Sequence, residues 1–161
     1  MSTHTFLKEC STMPDASNMR FGLVAAEWNS HLTNVLLEQA VSALLATGAK
    51  EEHIIIKRVP GSFELIFGCS ELAKHSSVDA IIAIGSVIRG DTPHFDYICN
   101  GVTKELARQN TMGDIPVIYG LLTTENERQA IERIDGTVGR KGEEFAITAI
   151  KMVDFSWSLK K

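Results

Sequence analysis

Four short runs in this chain are apolar on both faces, and amphipathic helical patterns separate them. The clearest is Ala80-Ile81-Ile82-Ala83-Ile84, which ends at Gly85. The others are Phe21-Gly22-Leu23-Val24-Ala25-Ala26, Ile54-Ile55-Ile56 and Pro116-Val117-Ile118-Tyr119-Gly120-Leu121-Leu122. A strand with one face in water alternates apolar and polar residues, whereas a strand buried on both faces does not. Such strands alternating with helices predict a parallel sheet covered on both sides. The expected fold is α/β: a three-layer αβα sandwich with a parallel four-stranded sheet, of flavodoxin-like type.

The helices carry their own signals. From Ser30 to Thr47, Leu32, Val35, Leu36, Ala40, Ala43 and Leu44 recur at helical spacing, with Gly48 placed as a C-terminal cap. A shorter helix is expected from Phe63 to Lys74. Thr92-Pro93 reads as an N-cap and a first-turn proline ahead of Phe95, Ile98, Val102 and Leu106. Thr124-Glu125-Asn126-Glu127 has the form of a capping box, with a helix to about Ile134. A Gly-rich turn from Gly136 to Gly142 leads into a last helix carrying Ala146, Ala149, Ile150 and Val153.

With 161 residues, the chain is the size of one domain and long enough to bury a core. Residues 1–18 read as a flexible N-terminal arm or an added edge segment, and residues 19–161 as a single domain. A net charge of −4 and the lack of a basic stretch argue against nucleic acid as the main partner. Cys10, Cys69 and Cys99 are scattered, and His4, His31, His53 and His75 show no ligand spacing, so no metal is expected. No window approaches the roughly 18 consecutive apolar residues of a membrane span. Residues 1–18 hold no cationic start followed by an apolar run. A soluble, cytoplasmic protein with reduced thiols is the expectation.

In open parallel α/β sheets, ligands bind outside the carboxyl ends of the strands. Here that edge collects Glu27-Trp28-Asn29 after the first strand and Pro60-Gly61-Ser62-Phe63-Glu64 after the second. Gly85-Ser86-Val87-Ile88-Arg89-Gly90-Asp91-Thr92-Pro93-His94 follows the third, and Tyr119, Gly120 and Thr123 lie near the end of the fourth. Gly85 and Gly90 would let the backbone bend and a ligand approach. The helix N-terminus that follows would suit a phosphate, with Thr92 adding its hydroxyl. His94 in its first turn carries an imidazole, a side chain that can both give and take a proton. Arg133, whose guanidinium can fork onto phosphate, is the favoured cation, with Lys141 as an alternative. Taken singly, each has an ordinary reading: His94 as a surface histidine, Trp28 as core, Glu64 as a helix-start acid, Arg133 and Lys141 as solvated cations. Their collection at one edge favours a binding site. The glycines match neither GxGxxG nor a Walker motif, so nucleotide binding has little support.

Two stretches, Val59-Pro60-Gly61-Ser62-Phe63-Glu64 and Gly85 through Tyr97, resemble the most recognisable segments of lumazine synthases. Pro116 through Thr123, Gln129-Ala130 and Lys141-Gly142 complete the pattern in order, over about Arg20 to Val153. The resemblance implies condensation of 5-amino-6-ribitylaminouracil with 3,4-dihydroxy-2-butanone 4-phosphate to 6,7-dimethyl-8-ribityllumazine, without cofactor. It implies that Trp28 stacks on the pyrimidine, that Ser62, through its backbone, and Glu64 hold the ribityl chain, and that Phe63 is among the substrate-binding residues. Backbone groups of Ser86, Val87 and Ile88 would read the pyrimidine edge. Asp91, Thr92, Arg133 and, in second rank, Lys141 would surround the phosphate, His94 would carry protons, and Tyr119 would close the site from a neighbouring subunit. Trp28 and Tyr119 stand where the family usually has Phe, and Ser62 where Ala is usual.

The resemblance further implies pentamers, assembly of twelve pentamers into a 60-subunit icosahedral shell, and association with riboflavin synthase. The turn from Asp135 to Lys141 carries no insertion beside shell-forming relatives, so the expectation leans toward the shell. Two other readings stand beside the synthase. One is a non-catalytic relative that binds lumazine or flavin or serves as a container, although such a carrier would need neither His94 nor Arg133. The other is a generic module binding a phosphorylated ligand such as flavin mononucleotide, which predicts a yellow protein without turnover.

Overall fold

The computed structural model describes residues 12–160. Its framework is the sheet that the apolar runs predict. Strands β1 (Phe21–Ala26), β2 (Ile54–Val59), β3 (Ala80–Ile88) and β4 (Val117–Thr124) lie in the order β2-β1-β3-β4. All neighbouring pairs are parallel, with Phe21 beside both Ile54 and Ala80, and Ile81 beside Val117. The helices are α1 (Ser30–Ala46), α2 (Leu65–His75), α3 (His94–Met112), α4 (Glu127–Glu132) and α5 (Lys141–Ser158).

Side chains of successive strand residues point to opposite faces, which divides the core in two. On one face Leu23, Ile82 and Ile84 pack with Leu32, Leu36 and Leu44 of α1 and Ile150 and Val153 of α5. On the other, Val24, Ile81 and Ala83 pack with Leu65 and Leu72 of α2 and Val102 and Leu106 of α3. The αβα sandwich of the sequence reading is therefore the fold found. Every residue of β1 is buried, as a central strand covered by helices requires.

The exposed edge at β4 is blunted by one side chain. Asn110 of α3 donates from Nδ2 to the Val117 carbonyl at 2.8 Å and accepts the Val117 N–H at 2.9 Å, imitating a neighbouring strand.

Several boundaries differ from the sequence reading. Strand β3 does not stop at Gly85 but continues to Ile88, because β4 offers partners as far as Thr124. Gly85 is therefore a packing glycine rather than a bend: a Cβ there would lie 2.7 Å from both Leu121 Cδ1 and Ser62 Oγ. Helix α3 begins at His94 with Pro93 at its cap, and Thr92 makes no capping hydrogen bond. The capping box is shifted by two residues. Asn126 accepts the Gln129 N–H at 3.0 Å, and the Gln129 side chain accepts the Glu125 N–H at 2.9 Å. Thr124 is the end of β4. Gly142 lies inside α5, not in a turn, and abuts the Leu36 backbone.

The expected arm over residues 1–18 falls mostly on residues 1–11, with Cys10 among them, which lie outside the described residues. The residues just after these join the fold. Ala16 is fully buried in the α1/α5 core and donates its N–H to Thr47 at 3.2 Å.

Candidate active site

Chain order makes a crevice at the carboxyl edge. From β1 the connection through α1 leads outward to β2, and from β2 the chain returns across to β3 on β1's other side. Loops leaving β1 and β3 diverge at such a switch point, and ligands bind there. A cavity of about 510 Å³ lies at this point, lined by Trp28, Asn29, Gly61, Ser62, Phe63, Glu64, Ser86, Val87, Ile88, His94 and Ile98. Eight residues singled out from sequence thus share one cavity: Trp28, Ser62, Phe63, Glu64, Ser86, Val87, Ile88 and His94.

The backbone fixes the first of these firmly. Glu27 and Trp28 donate their N–H groups to the carbonyls of Val59 (2.8 Å) and Pro60 (3.1 Å), which ties the end of β1 to the end of β2. Asn29 follows in the left-handed region at φ 57°, the one described non-glycine residue with positive φ. Asparagine accepts that conformation more readily than most side chains. Its Nδ2 donates to the Ser86 carbonyl at 2.9 Å, linking the loop after β1 to the end of β3. Trp28 is left 74% exposed at the mouth, a flat aromatic surface standing over a cavity. The bland reading of Trp28 as core is excluded. Sequence reading placed Asn29 at this edge but gave it no role; its signal was an asparagine between a buried strand and a helix start.

Ser86 Oγ is buried without a hydrogen-bond partner among the described residues. Val87 and Ile88 are half-buried. At the helix end of the cavity, His94 is exposed in the first turn of α3, and Asp91 and Thr92 precede it on the surface. Arg89 anchors this turn. Its guanidinium forks onto both Asp96 carboxylate oxygens at 3.0 and 3.1 Å, bonds Glu125 at 2.7 Å, and lies 4.2 Å over the Phe95 ring. The Asp96 and Glu125 hydrogen bonds raise its pKa above the ordinary arginine value.

The remaining candidates sit elsewhere. Tyr119 and Lys141 line a different cavity of about 430 Å³, with Asn110, Phe145 and Met152. The Tyr119 hydroxyl pairs with Thr103 Oγ1 at 2.9 Å, and burial raises its pKa, so the phenol is neutral at physiological pH. Lys141 Nζ is ion-paired to Glu144 at 2.6 Å. Arg133, half-buried at the end of α4, donates from Nη1 to the Gln129 carbonyl at 2.8 Å. Its own carbonyl accepts the Lys141 N–H at 3.0 Å, so Arg133 and Lys141 belong to one local unit. Asp91, Thr92, Tyr119, Arg133 and Lys141 are not among the residues lining the His94 cavity. Among the described residues, no group of three or more His, Cys, Asp or Glu could hold a metal ion, and no helix is long and apolar enough to cross a membrane.

A family model described as 6,7-dimethyl-8-ribityllumazine synthase matches residues 18–156. A protein of that name from Bacteroides fragilis (strain YCH46) is 59% identical over 143 residues, covering 89% of this chain and all of that protein. Its namesake from Phocaeicola vulgatus is 56% identical, covering 94% of this chain and 90% of the relative. That from Parabacteroides distasonis is 54% identical, with 91% of each chain covered.

Proposed function

The chain belongs to the 6,7-dimethyl-8-ribityllumazine synthase family, and from that premise we propose that it condenses 5-amino-6-(D-ribitylamino)uracil with 3,4-dihydroxy-2-butanone 4-phosphate. The products are 6,7-dimethyl-8-ribityllumazine, phosphate and water, in the penultimate step of riboflavin biosynthesis. The observation that carries this reading is the cavity at the switch point, where an exposed indole, a strand end and a histidine face one space.

In this reading the pyrimidine stacks on Trp28, a contact worth on the order of 0.5–1.5 kcal/mol beyond burial. Its edge meets the backbone of Ser86, Val87 and Ile88. Ser62, Phe63 and Glu64 line the ribityl chain. The 5-amino group attacks the ketone carbonyl, water leaves, and a Schiff base forms. Elimination then releases phosphate and leaves an enol, which tautomerises to a second ketone; the ribityl-bearing nitrogen attacks that carbonyl, and loss of a second water closes the ring. Each step moves a proton, and His94 stands at the cavity to give and take it. Asp91 and Thr92 line the phosphate end, with Arg133 as its cation and Lys141 beside it.

Tyr119 and Lys141 share a second cavity, and Arg133 is bonded to Lys141 through the backbone. This supports a site completed by a neighbouring copy: one chain offers the Trp28–His94 half, the next the Tyr119–Arg133–Lys141 half. Exposure of Phe63, Phe67, Tyr97 and Met112 supports self-association as well. Pentamers, a 60-subunit shell, association with riboflavin synthase and a cytoplasmic location belong to the same proposal. So does the division into an N-terminal segment over residues 1–18, whose Ala16 packs on the core, and one domain over 19–161.

The non-catalytic carrier gains no support, since His94 stands at the cavity rather than away from it. Expression in a bacterium lacking its own lumazine synthase tests the function in cells. Growth without riboflavin is expected from this chain and not from its His94→Ala/Arg133→Ala double variant. Equal failure of both, with the protein expressed and folded, would overturn the reading. Native mass spectrometry tests the assembly, with masses in multiples of five chains expected and a monomer contradicting it.

A further inference from the structure

We propose that Gln39 is a positioning residue for anion binding: its buried side-chain amide clamps the neck of the loop bracketed by Arg133 and Lys141. This rests on the proposed role of those two cations at the phosphate.

Gln39 lies on α1, only 8% exposed, among leucines that pack on the sheet. Its Nε2 donates to the Ile134 carbonyl at 2.5 Å. Its Oε1 accepts the Gly142 N–H at 3.2 Å. Those two groups belong to the residues directly after Arg133 and Lys141. The neck is cross-linked a second time by Lys141 N–H to the Arg133 carbonyl at 3.0 Å, and again by Val138 N–H to the Glu132 carbonyl at 2.8 Å. One amide of α1 therefore holds both stems of the loop at once, and the core holds the amide.

The chemistry requires an amide. Ile134 offers an acceptor and Gly142 a donor, and of the side chains of this length only glutamine supplies both complements. Gly142 is the second residue of α5, whose early N–H groups have no acceptor within the helix, so Gln39 satisfies a group that would otherwise be buried and unpaired. Fixing the loop stems fixes the bases from which the Arg133 and Lys141 side chains extend. A misplacement of about 1 Å at such a base reaches the ligand, because forked hydrogen bonds tolerate little displacement.

A merely structural Gln39 would change stability and leave ligand affinity alone, so the test reads both. Inorganic phosphate is titrated calorimetrically into the assembled protein, and pyrimidine affinity is read from quenching of tryptophan fluorescence. Five proteins are compared: wild type, Gln39→Met, Gln39→Asn, Arg133→Ala and Ile150→Val. Methionine keeps the length and loses both hydrogen bonds. Asparagine keeps the amide but is too short to span both partners, and serves if Gln39→Met does not fold. Ile150→Val loosens the same α1/α5 core without touching the clamp.

Gln39→Met is expected to weaken phosphate about tenfold while pyrimidine affinity stays at wild type. Gln39→Asn is expected to fall between, and Ile150→Val to bind phosphate as wild type does despite its lower melting temperature. Wild-type phosphate affinity in the Gln39 variants, with Arg133→Ala weakened, overturns the positioning role alone. Wild-type phosphate affinity in Arg133→Ala overturns the anion-binding role itself and the inference with it.

Discussion

Replacing Gly142 with alanine sets two effects against each other, and their signs differ. By intrinsic propensity, alanine stabilises a helix interior by up to about 1 kcal/mol relative to glycine. Packing argues the other way. A Cβ at Gly142 would strike the Leu36 carbonyl oxygen, and it would stand 2.7 Å from Gln39 Cβ and 2.9 Å from the Leu36 carbonyl carbon. These atoms are backbone, or one bond from it, and cannot rotate aside. Helix α5 must therefore lift from α1, and overpacking of this kind costs about 1–3 kcal/mol. Lifting also stretches the hydrogen bond from the Gly142 N–H to Gln39, worth about 1 kcal/mol. Against the propensity gain, the net is a destabilisation of about 1–3 kcal/mol. In a domain of this size that lowers the melting temperature by roughly 2–12 °C. Differential scanning calorimetry at fixed protein concentration measures it, with concentration held because association shifts the apparent stability. An unchanged or raised melting temperature would refute the packing argument, and with it the close α1–α5 contact on which the loop clamp depends.

Other expectations follow from the site. Trp28→Ala removes the exposed indole and is expected to weaken pyrimidine binding by about 1–3 kcal/mol, the scale of aromatic–base stacking; fluorescence or calorimetric titration checks it. Arg133→Ala is expected to raise the KM for the phosphate ester about 10–100-fold, the worth of a charge-assisted hydrogen bond, with pyrimidine affinity little changed; equal losses for both substrates would sink the assignment. His94→Ala is expected to slow turnover by about tenfold or more while pyrimidine affinity holds, as steady-state rates and binding measured together will show. Burial pushes the Cys69 thiol up to about 12, so it stays protonated in the folded chain. Its contribution to stability is complete at neutral pH and is lost as pH rises from the ordinary thiol range toward that value. Peptide mapping after alkylation at pH 8 is expected to find Cys69 modified only when denaturant is present.

The layers of the fold were legible because burial on both faces leaves a plain mark: Ala80 through Ile84 can be little else than a central parallel strand. Where that strand ended was less legible. Gly85 looks like a break in sequence, yet it is a space that Leu121 and Ser62 fill, and only the partner strand shows this. The switch-point cavity was readable because the rule for parallel sheets concerns chain order, and chain order is in the sequence. Asn29 was visible but unweighted, since its left-handed backbone is a property of the folded loop. Gln39 was harder still. A glutamine on an amphipathic helix reads as solvent-facing, and nothing local shows that a loop about a hundred residues away supplies both its partners. The separation of Tyr119 and Lys141 from His94 is likewise a three-dimensional fact, invisible to a reading that gathers residues by strand end.

Turnover itself tests the central claim most directly. Purified protein is mixed with 5-amino-6-ribitylaminouracil and 3,4-dihydroxy-2-butanone 4-phosphate, while lumazine is followed by absorbance and phosphate by release. Lumazine and phosphate produced in equal amounts, at a rate proportional to protein and well above the spontaneous reaction, is the predicted result. Tight pyrimidine binding without acceleration would contradict it, leaving a cavity that holds the substrate and does no chemistry on it.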